Sequence, residues 1–465
     1  METSLNTEGY WAMEEFGHAE LGNLARTRRL VAVAENAASH PAGCVTEVFD
    51  KSSEREGAYR MLENSKVKSN NILESTAQAT ARRCCREDFV FVPVDGTSLN
   101  LPDPSNVRGM GTVGPYAKGA EGLAVMNAIA VAPDGTPLGI LDQEYWVREK
   151  DKARKKQRKQ RPLEDKETRY WLNISDKICE LLKEHGDNVT PWFQFDRGGD
   201  FREALDWASQ TDAKVTVRAA QNRRVADEES RLLWEQVERQ EIAGIYELDV
   251  MAGPRRKARL ARMELRFCTT TLILSDPSRK EKPKEINLTA VYARENGTTP
   301  EGEKPISWLL LSNQQSSCFD EAKVILDGYS QRWKIEEFHK SWKTTCKVED
   351  TQLRSVESVK KWAIILAAVA VRVERLKYLA RHSPDEKATV EFSALEVEAI
   401  IVLKKPNGFS RTDVPSLGQA VSWVADIGGY TGKSSGGPPG AVVIGRGLKR
   451  IEPVVTALAN IAGFQ

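Results

Sequence analysis

Two aspartates stand at points of the chain where their carboxylates could share one site. Asp95 follows the apolar run 89–94 (FVFVPV), and Asp196 follows the run 189–195 (VTPWFQF). Both runs are typical of buried strands, and the carboxyl ends of neighbouring parallel strands meet at one edge of a sheet. We therefore expect the two side chains to converge. An Asp after a strand is also a common turn former or helix cap, so a structural role stays open.

Glu336 is the third candidate carboxylate. It lies in the segment 328–343 (GYSQRWKIEEFHKSWK), which has the apolar spacing of a helix. On such a helix it belongs to a polar stripe about 60° wide, whereas the neighbouring Glu337 points about 100° away. The other members of the stripe are Tyr329, Arg332 and Lys343. This geometry selects Glu336 to face the aspartates, and a stripe of surface ion pairs is the alternative.

Three carboxylates without a histidine favour hard divalent cations, with Mg²⁺ first and Mn²⁺ as a substitute. Two such ions, about 3.5–4 Å apart, activate a water or a 3′-hydroxyl and stabilise the leaving oxygen of a phosphodiester. Arg332 and Lys343 would hold phosphates beside the ions. The sequence therefore predicts a phosphodiester-cleaving site with two ions, whose catalytic and metal-binding residues are Asp95, Asp196 and Glu336.

The bulk composition is typical of a multidomain globular protein. With 465 residues, of which 40% are hydrophobic and 29% charged, the chain predicts two to four domains. It has no run of about eighteen apolar residues, so we expect no membrane span. Its start, METSLNTEGYWAMEEF, lacks the basic region of a signal peptide. The seven cysteines form no CxxC pair, which argues against a zinc site or a disulfide framework and favours reduced thiols in a cytoplasm.

The net charge is only +1, but basic residues cluster in two runs. The run 150–161 (KDKARKKQRKQR) holds eight Lys and Arg against one Asp, and the run 253–267 (GPRRKARLARMELRF) holds six against one Glu. Such clusters can follow a phosphate backbone even when the whole chain is nearly neutral. A solvated surface is the alternative for each run.

The elements that must position these residues fall into three parts. Residues 1 to about 72 have a helical pattern, and residues from about 373 have helical patterns interrupted by the glycine-rich stretch GGYTGKSSGGPPG. Between them, strand and helix patterns alternate. Strands are expected at 89–94, 122–132, 137–147, 189–195, 214–218, 269–274, 286–292 and 308–312, and a long helix at about 319–345. Three strands, a helix, a strand, a helix and a strand are the order of an RNase H-like domain.

The chain resembles the DDE transposases of the insertion-sequence-four family. The family's Tyr-xx-Arg-xxx-Glu-xxxxxx-Lys signature is met by Tyr329, Arg332, Glu336 and Lys343. Further matches occur in the same order along most of the chain: LGN-xx-RTRRLV from residue 21, GAYR at 57–60, VDGTSLN at 94–100, DRGGD at 196–200 and WLLLS at 308–312. One departure is Gly198, where a member of this family has an acidic residue.

The resemblance implies an α/β fold with an RNase H-like catalytic domain that carries a β-strand insertion. An N-terminal helical DNA-binding domain and a C-terminal helical domain would flank it. We expect the end-binding domain at 1–72, the catalytic domain at 73–372 with its insertion at about 220–312, and the dimerisation domain at 373–465.

The resemblance also implies a bacterial, nucleoid-associated enzyme that moves a mobile element by cut-and-paste transposition. It would bind the element's terminal repeats as a homodimer in a synaptic complex, with each protomer cutting the end read chiefly by its partner. A released 3′-hydroxyl would form a hairpin on the transposon end, and the reopened 3′ end would be joined to target DNA. The alternatives are a nuclease without strand transfer and a catalytically idle DNA-binding relative.

DNA contacts follow from the same resemblance. Trp308 would stack on a base flipped out during hairpin formation, with Trp333 near the same pocket, although a strand-core role is the alternative for Trp308. Phosphates near the site would be held by Tyr329, Arg332 and Lys343. The remaining predicted DNA-binding residues are Arg26, Arg29, Arg60 and Arg218, each with an ordinary ion pair as its alternative.

Overall fold

The structure is a computed structural model of the chain. It describes residues 11–103, 105–114, 119–148, 161–186, 188–253, 256–275, 282–432 and 437–462. Internal contacts divide the chain into two compact units. The first unit consists of Met1–Arg86, Gly96–Asp151 and Lys334–Gln465. The second unit consists of Glu87–Asp95 and Lys152–Trp333.

The described elements make a mixed α/β protein. Its helices are α1 Trp11–Phe16, α2 Leu24–Ser39, α3 Val45–Val48, α4 Ser52–Glu63, α5 Ser69–Cys84, α6 Arg169–His185, α7 Arg202–Ala208, α8 Leu233–Glu238, α9 Phe319–Ser330, α10 Trp333–Thr344, α11 Val356–His382, α12 Ala394–Lys404, α13 Leu417–Ile427 and α14 Ala441–Ala462. Its strands are β1 Phe89–Asn100, β2 Gly111–Thr112, β3 Glu121–Val131, β4 Pro137–Trp146, β5 Thr190–Phe195, β6 Lys214–Arg218, β7 Gly244–Val250, β8 Arg259–Leu274, β9 Lys284–Glu295 and β10 Ser307–Ser312. Within the described part of the chain, no helix has the length and apolarity needed to cross a membrane.

Helix α11 is the centre of the first unit. Its middle, WAIILAAVAV at 362–371, is buried on every side, which is typical of a helix enclosed by other elements. It packs against the N-terminal helices α2, α4 and α5, the strand β4, and the C-terminal helices α13 and α14. The expected domain boundary at 372/373 falls inside this helix, and the boundary at 72/73 falls inside α5. The compact units therefore join N- and C-terminal helices in one core, while the three-domain division stays a prediction.

The second unit is built on a sheet. The first half of β1 pairs in parallel with β5, which pairs in parallel with β6. Antiparallel strands then follow in the order β10, β9, β8 and β7. The strands β7, β8 and β9 arise from the segment between β6 and β10, where the sequence predicts the strand-rich insertion. They join the sheet of the second unit because β10 pairs with β6 on one side and with β9 on the other.

Strand β1 is longer than the sequence predicts. Its pairing with β5 ends at Val94, but the strand continues through Asp95 to Asn100. The apolar run ends at Val94 because burial is lost there, and the extended backbone continues beside β3: Gly122 of β3 leaves no room for a Cβ against the Leu99 carbonyl. Asp95 therefore lies within a strand, at the point where the strand leaves its parallel partner.

The expected long helix over 319–345 is two helices. Helix α9 ends at Ser330 and α10 begins at Trp333. The amides of Gln331 and Arg332 bond to carbonyls three residues earlier, on Gly328 and Tyr329, so the backbone tightens into a 3₁₀-type turn. The polar stripe derived for one continuous helix does not hold across this turn.

Candidate active site

Asp95 and Asp196 lie next to each other on neighbouring parallel strands. The register pairs Val94 of β1 with Phe195 of β5, and each aspartate directly follows its member of this pair. Paired positions on parallel strands are about 4.8 Å apart and face the same side of the sheet. Both aspartates are half-buried. The two positions are therefore neighbours at one edge of the parallel strands within the second unit, and the convergence of their carboxylates stays a prediction.

Asp196 also caps the turn that follows it. Its Oδ1 accepts the backbone N–H of Gly198 at 2.7 Å, at the start of a 3₁₀ turn over Arg197–Gly199. A Cβ on Gly198 would lie 2.9 Å from Asp196 Oδ1 and 3.1 Å from the Trp171 ring. A side chain at position 198 would therefore crowd the Asp196 carboxylate and the Trp171 ring.

Arg332 brings a buried positive charge to Asp95. The two side chains are 8% and 19% exposed, and Nη1 of the arginine lies 3.6 Å from Oδ2 of the aspartate. Helix α9 reaches this position because Gly328 packs directly on Phe91 of β1, where a Cβ would come within 2.7 Å of the ring. The guanidinium also lies 5.3 Å from the centre of the Trp333 ring.

Tyr329 and Arg218 extend this cationic side of the site. Burial raises the pKa of Tyr329, although the neighbouring Arg332 and Arg218 oppose the shift, and Asp196 adds to it. Burial lowers the pKa of Arg218, the neighbouring Tyr329 opposes this shift, and the nearby cations Arg197 and Arg332 add to it. The Tyr329 hydroxyl is therefore close to both Arg218 and Arg332. A phosphate oxygen is an acceptor suited to all three donors.

Trp308 is only half-buried, whereas the next three residues of β10, 309–311, are fully buried. In the antiparallel β10–β6 register, Leu310 faces Arg218, which places Trp308 and Arg218 on one face as diagonal neighbours. A wholly core role for Trp308 does not fit this exposure. Trp333 is 54% exposed and likewise offers a ring face.

Glu336 and Lys343 lie on α10 in the first unit. They are seven residues apart, which places them on one face of this helix, and Glu336 is exposed in its first turn. Lys343 is half-buried, and its Nζ donates to Thr97 Oγ1 and to the Ser98 carbonyl, each at 2.8 Å. Burial lowers the pKa of Lys343. The lysine of the signature is thus fastened to β1 two and three residues beyond Asp95.

A buried polar chain that the sequence analysis missed connects α10 to the β3–β4 hairpin. Gln143 Nε2 donates to Asn127 Oδ1 at 2.6 Å, so the Asn127 amide nitrogen is left to donate to His339 Nε2 at 3.0 Å. His339 is one turn beyond Glu336. Isolated Asn and Gln in strand patterns carry no sequence signal for such a chain.

The two aspartates supply some, but not all, of the oxygen ligands that a hard divalent cation needs. Among the described residues, no group of three or more His, Cys, Asp and Glu side chains is close enough to hold a metal ion. Asp95 and Asp196 supply paired carboxylate oxygens without nitrogen or sulfur ligands, which suits Mg²⁺ or Mn²⁺ rather than zinc. The residues fit a divalent cation that additional oxygen ligands would complete.

The three N-terminal arginines lie on α2 and α4 and already have intramolecular contacts. Arg26 donates to the Leu21 carbonyl at 2.8 Å, and the Arg29 guanidinium lies against Gly57. Arg60 is exposed and forms an ion pair with Glu56. Arg26 is half-buried, whereas Arg29 and Arg60 are exposed, and the role of all three in DNA binding stays a prediction.

Of the two basic runs, 253–267 lies mostly within the described residues. Of the run 150–161, only Arg161 lies among the described residues. In the run 253–267, Arg259 is held by Glu295 at 2.7 Å and by Glu303 at 2.7 Å, and Arg266 lies 3.2 Å from Glu264. Part of this positive charge is therefore neutralised within the sheet.

Two family models match the chain. A transposase DNA-binding model matches residues 8–67, which contain α1 to α4. A transposase DDE domain model matches residues 136–372, more than half of the chain. The second match contains Asp196, Trp308 and the whole Tyr-Arg-Glu-Lys signature, while Asp95 precedes it. DDE domains are RNase H-like and use divalent metal ions. The chain therefore belongs to the DDE transposases, metal-dependent enzymes that cleave DNA and transfer its strands.

Proposed function

We propose that this transposase is a cut-and-paste enzyme of the insertion-sequence-four family, similar to the transposase of transposon five. It binds the terminal repeats of its own mobile element, cleaves them through a hairpin intermediate and joins the 3′ ends to target DNA. The observation that carries the proposal is the pair Asp95 and Asp196, in register on parallel strands beside the buried Arg332. Glu336, four residues beyond that arginine, completes the proposed catalytic triad.

The triad is proposed to hold two Mg²⁺ ions, which Mn²⁺ can replace. Ions bound there supply activation of the attacking water or 3′-hydroxyl and stabilisation of the leaving oxygen. Arg332, Arg218 and Tyr329 orient the scissile phosphate by donating to its non-bridging oxygens. Because Arg332 neutralises Asp95 when no cation is bound, it also keeps a half-buried carboxylate in place until the ligands arrive.

Trp308 is proposed to stack on the base that leaves the duplex when the hairpin forms. Its partial exposure and its position beside Arg218 support this role, since the flipped nucleotide needs an aromatic surface for its base and a cation for its phosphate. Trp333, with Arg332 over its ring, is a second candidate surface near the same phosphate.

The assembly is proposed to be a homodimer that synapses two transposon ends, each cut in trans. Arg26, Arg29 and Arg60, on helices α2 and α4, are proposed to contact the end DNA, and Lys343 to contact a phosphate near the site. Residues 373–465 are proposed to dimerise. In this proposal, the boundaries at 72/73 and 372/373 separate segments with different functions. They do not coincide with the boundaries of the two compact units.

The test is a cleavage assay with Mg²⁺ on a duplex that carries the element's terminal repeat. The wild type should give nicks, hairpins and joined products. Asp196→Ala and Glu336→Ala should bind the duplex in Ca²⁺ but leave it uncut. Glu337→Ala is the matched control, because Glu337 is exposed on α10 and points about 100° away from Glu336.

Three outcomes would contradict the proposal in different ways. Cleavage that survives Glu336→Ala would remove this residue from the triad. Nicks without hairpins or joined products in the wild type would indicate a different cleavage mechanism. Tight binding without cleavage by the wild type would indicate a regulatory DNA-binding relative.

A further inference from the structure

We infer that Asp200 is a positioning residue for the reaction, which fixes the backbone that carries Asp196 and the backbone that follows Arg218. It is the last residue of the segment 196–200, DRGGD, and its side chain is fully buried. The inference rests on the proposed function, in which Asp196 is a metal ligand and Arg218 a phosphate ligand.

The Asp200 carboxylate accepts four hydrogen bonds from the segment after β6. Its Oδ2 accepts the backbone N–H of Ala220 at 2.7 Å and of Gln221 at 2.8 Å. Its Oδ1 accepts Nε and Nη2 of Arg223 at 3.0 and 2.6 Å. The first of these amides is only two residues beyond Arg218, so the carboxylate determines the course of the chain where β6 ends.

The Asp200 backbone is held from the same side. Its carbonyl accepts Gln221 Nε2 at 2.8 Å and Arg223 Nη2 at 3.0 Å. Asp200 is also the residue that ends the 3₁₀ turn over Arg197–Gly199, whose first residues are capped by Asp196. The same residue therefore anchors the turn at its far end while Asp196 binds it at its near end.

The turn has little freedom to relax if this anchor is lost. A Cβ on Gly199 would lie 2.6 Å from Phe195 Cβ, and a Cβ on Gly198 would lie 3.1 Å from the Trp171 ring. The turn is thus packed between β5, Trp171 and the Asp200 anchor. A shift of the turn would be transmitted to Asp196 through the 2.7 Å bond between its Oδ1 and the Gly198 amide.

A buried ion pair can also serve stability alone, so the experiment must separate the two roles. Two full-length variants are compared. Asp200→Asn keeps the shape of the side chain and loses its charge, whereas Arg223→Lys keeps the charge and loses the paired hydrogen bonds of the guanidinium. Asp206→Asn is the matched control: Asp206 lies in the same unit and pairs with Lys284, but its side chain is 32% exposed whereas that of Asp200 is fully buried. Asp196→Asn reports on the proposed function itself.

Two readouts are compared at a temperature where circular dichroism shows each variant to be folded. One is the Mn²⁺ concentration that gives half-maximal nicking of end DNA, and the other is Mn²⁺ binding measured by the paramagnetic resonance of the free ion. Residues that orient metal ligands typically change affinity by about 10–100-fold. We expect about a tenfold weakening in both readouts for Asp200→Asn, a smaller one for Arg223→Lys and none for Asp206→Asn, with unchanged end binding in Ca²⁺.

Mn²⁺ titrations of Asp200→Asn that coincide with those of Asp206→Asn, whatever the change in melting temperature, would overturn the positioning role. If Asp200→Asn does not fold, Arg223→Lys decides by the same criterion. Unchanged Mn²⁺ binding and nicking by Asp196→Asn would instead overturn the proposed metal site, so the two failures are distinguishable.

Discussion

Arg332→Met tests the electrostatics of the site most directly. Arg332 and Asp95 are 3.6 Å apart, and their side chains are 8% and 19% exposed. At an effective dielectric constant of about 20, two unit charges at that separation attract by about 4–5 kcal/mol, and desolvation offsets part of this. The variant removes the buried positive charge that lies beside Asp95. We therefore expect the free energy of unfolding of the second unit to fall by about 3 kcal/mol in the absence of metal.

Divalent metal should reduce this loss. A cation bound at Asp95 supplies the positive charge that the variant lacks, so the difference from the wild type should be smaller in Mn²⁺ than in EDTA. Urea unfolding followed by tryptophan fluorescence measures both values, with the midpoint converted to free energy through the slope of the transition. End-DNA cleavage should fall in the same variant because a phosphate donor is lost.

Arg294→Met is the matched control. Arg294 lies 3.8 Å from Glu238, but these side chains are 52% and 49% exposed, and exposed pairs contribute at most about 1 kcal/mol. A loss for Arg332→Met no larger than that of the control would refute the buried pair. A loss of equal size in EDTA and in Mn²⁺ would refute the idea that metal and Arg332 neutralise the same carboxylate.

Three further predictions concern packing, proton linkage and base stacking. Gly328→Ala should destabilise the second unit by about 1–2 kcal/mol in urea unfolding, because its Cβ would meet the Phe91 ring at 2.7 Å, while Gly253→Ala, with 3.9 Å to its nearest neighbour, should change stability by less than about 0.5 kcal/mol. Because burial lowers the pKa of Lys343, this side chain binds fewer protons in the folded chain than in the unfolded chain as the pH approaches 10.5, and its contribution to stability rises with pH in that window. Lys343→Met should therefore lower the slope of unfolding free energy against pH relative to the wild type, and an unchanged slope would contradict the linkage. Trp308→Ala should lose about 1–3 kcal/mol of stabilisation at the hairpin step with little effect on first nicking, whereas Trp308→Phe should keep most of it; equal losses at both steps in a time-resolved gel assay would count against stacking.

The parallel strands of the second unit, and the positions of the two aspartates after two of them, could be predicted from the sequence, whereas strand β7 and the first ten residues of β8 were not predicted. Both 89–94 and 189–195 are nearly continuous apolar runs, and such runs are buried on both faces only in the interior of a sheet. Two interior strands that are parallel must end at one edge, so the residues after them meet. The pairing of Val94 with Phe195 follows this reasoning directly.

The continuation of β1 and the break after α9 could not be predicted in the same way. The residues Gly96–Asn100 have no alternation that distinguishes a strand from a loop, and their extended form depends on close contact with β3. The turn at Gln331 and Arg332 contains no Gly or Pro, and helical periodicity continues through it. Tertiary packing of Gly328 on Phe91, rather than local propensity, accompanies the end of α9 there.

The side-chain partners of individual residues could not be predicted from the sequence either. The pattern of the signature places Arg332 and Lys343 in one polar stripe, but it contains no information that the arginine pairs with Asp95 or that the lysine is fastened to Thr97 and Ser98. All three partners lie more than two hundred residues earlier in the chain. Such contacts are fixed by the meeting of strand β1 with separate helices, which only the folded chain defines.

The break between α9 and α10 changes how the spacing of the signature should be understood. Arg332 lies in the 3₁₀-type turn, within the second unit, and is set by the packing of α9 on β1. Glu336 lies on α10, within the first unit, and α10 is fastened by Lys343 and His339. The three residues between Arg332 and Glu336 are therefore not simply one turn of a rigid rod. They include the start of α10, so the phosphate donor and the third carboxylate are positioned by separate sets of contacts and respond separately to substitutions in each set.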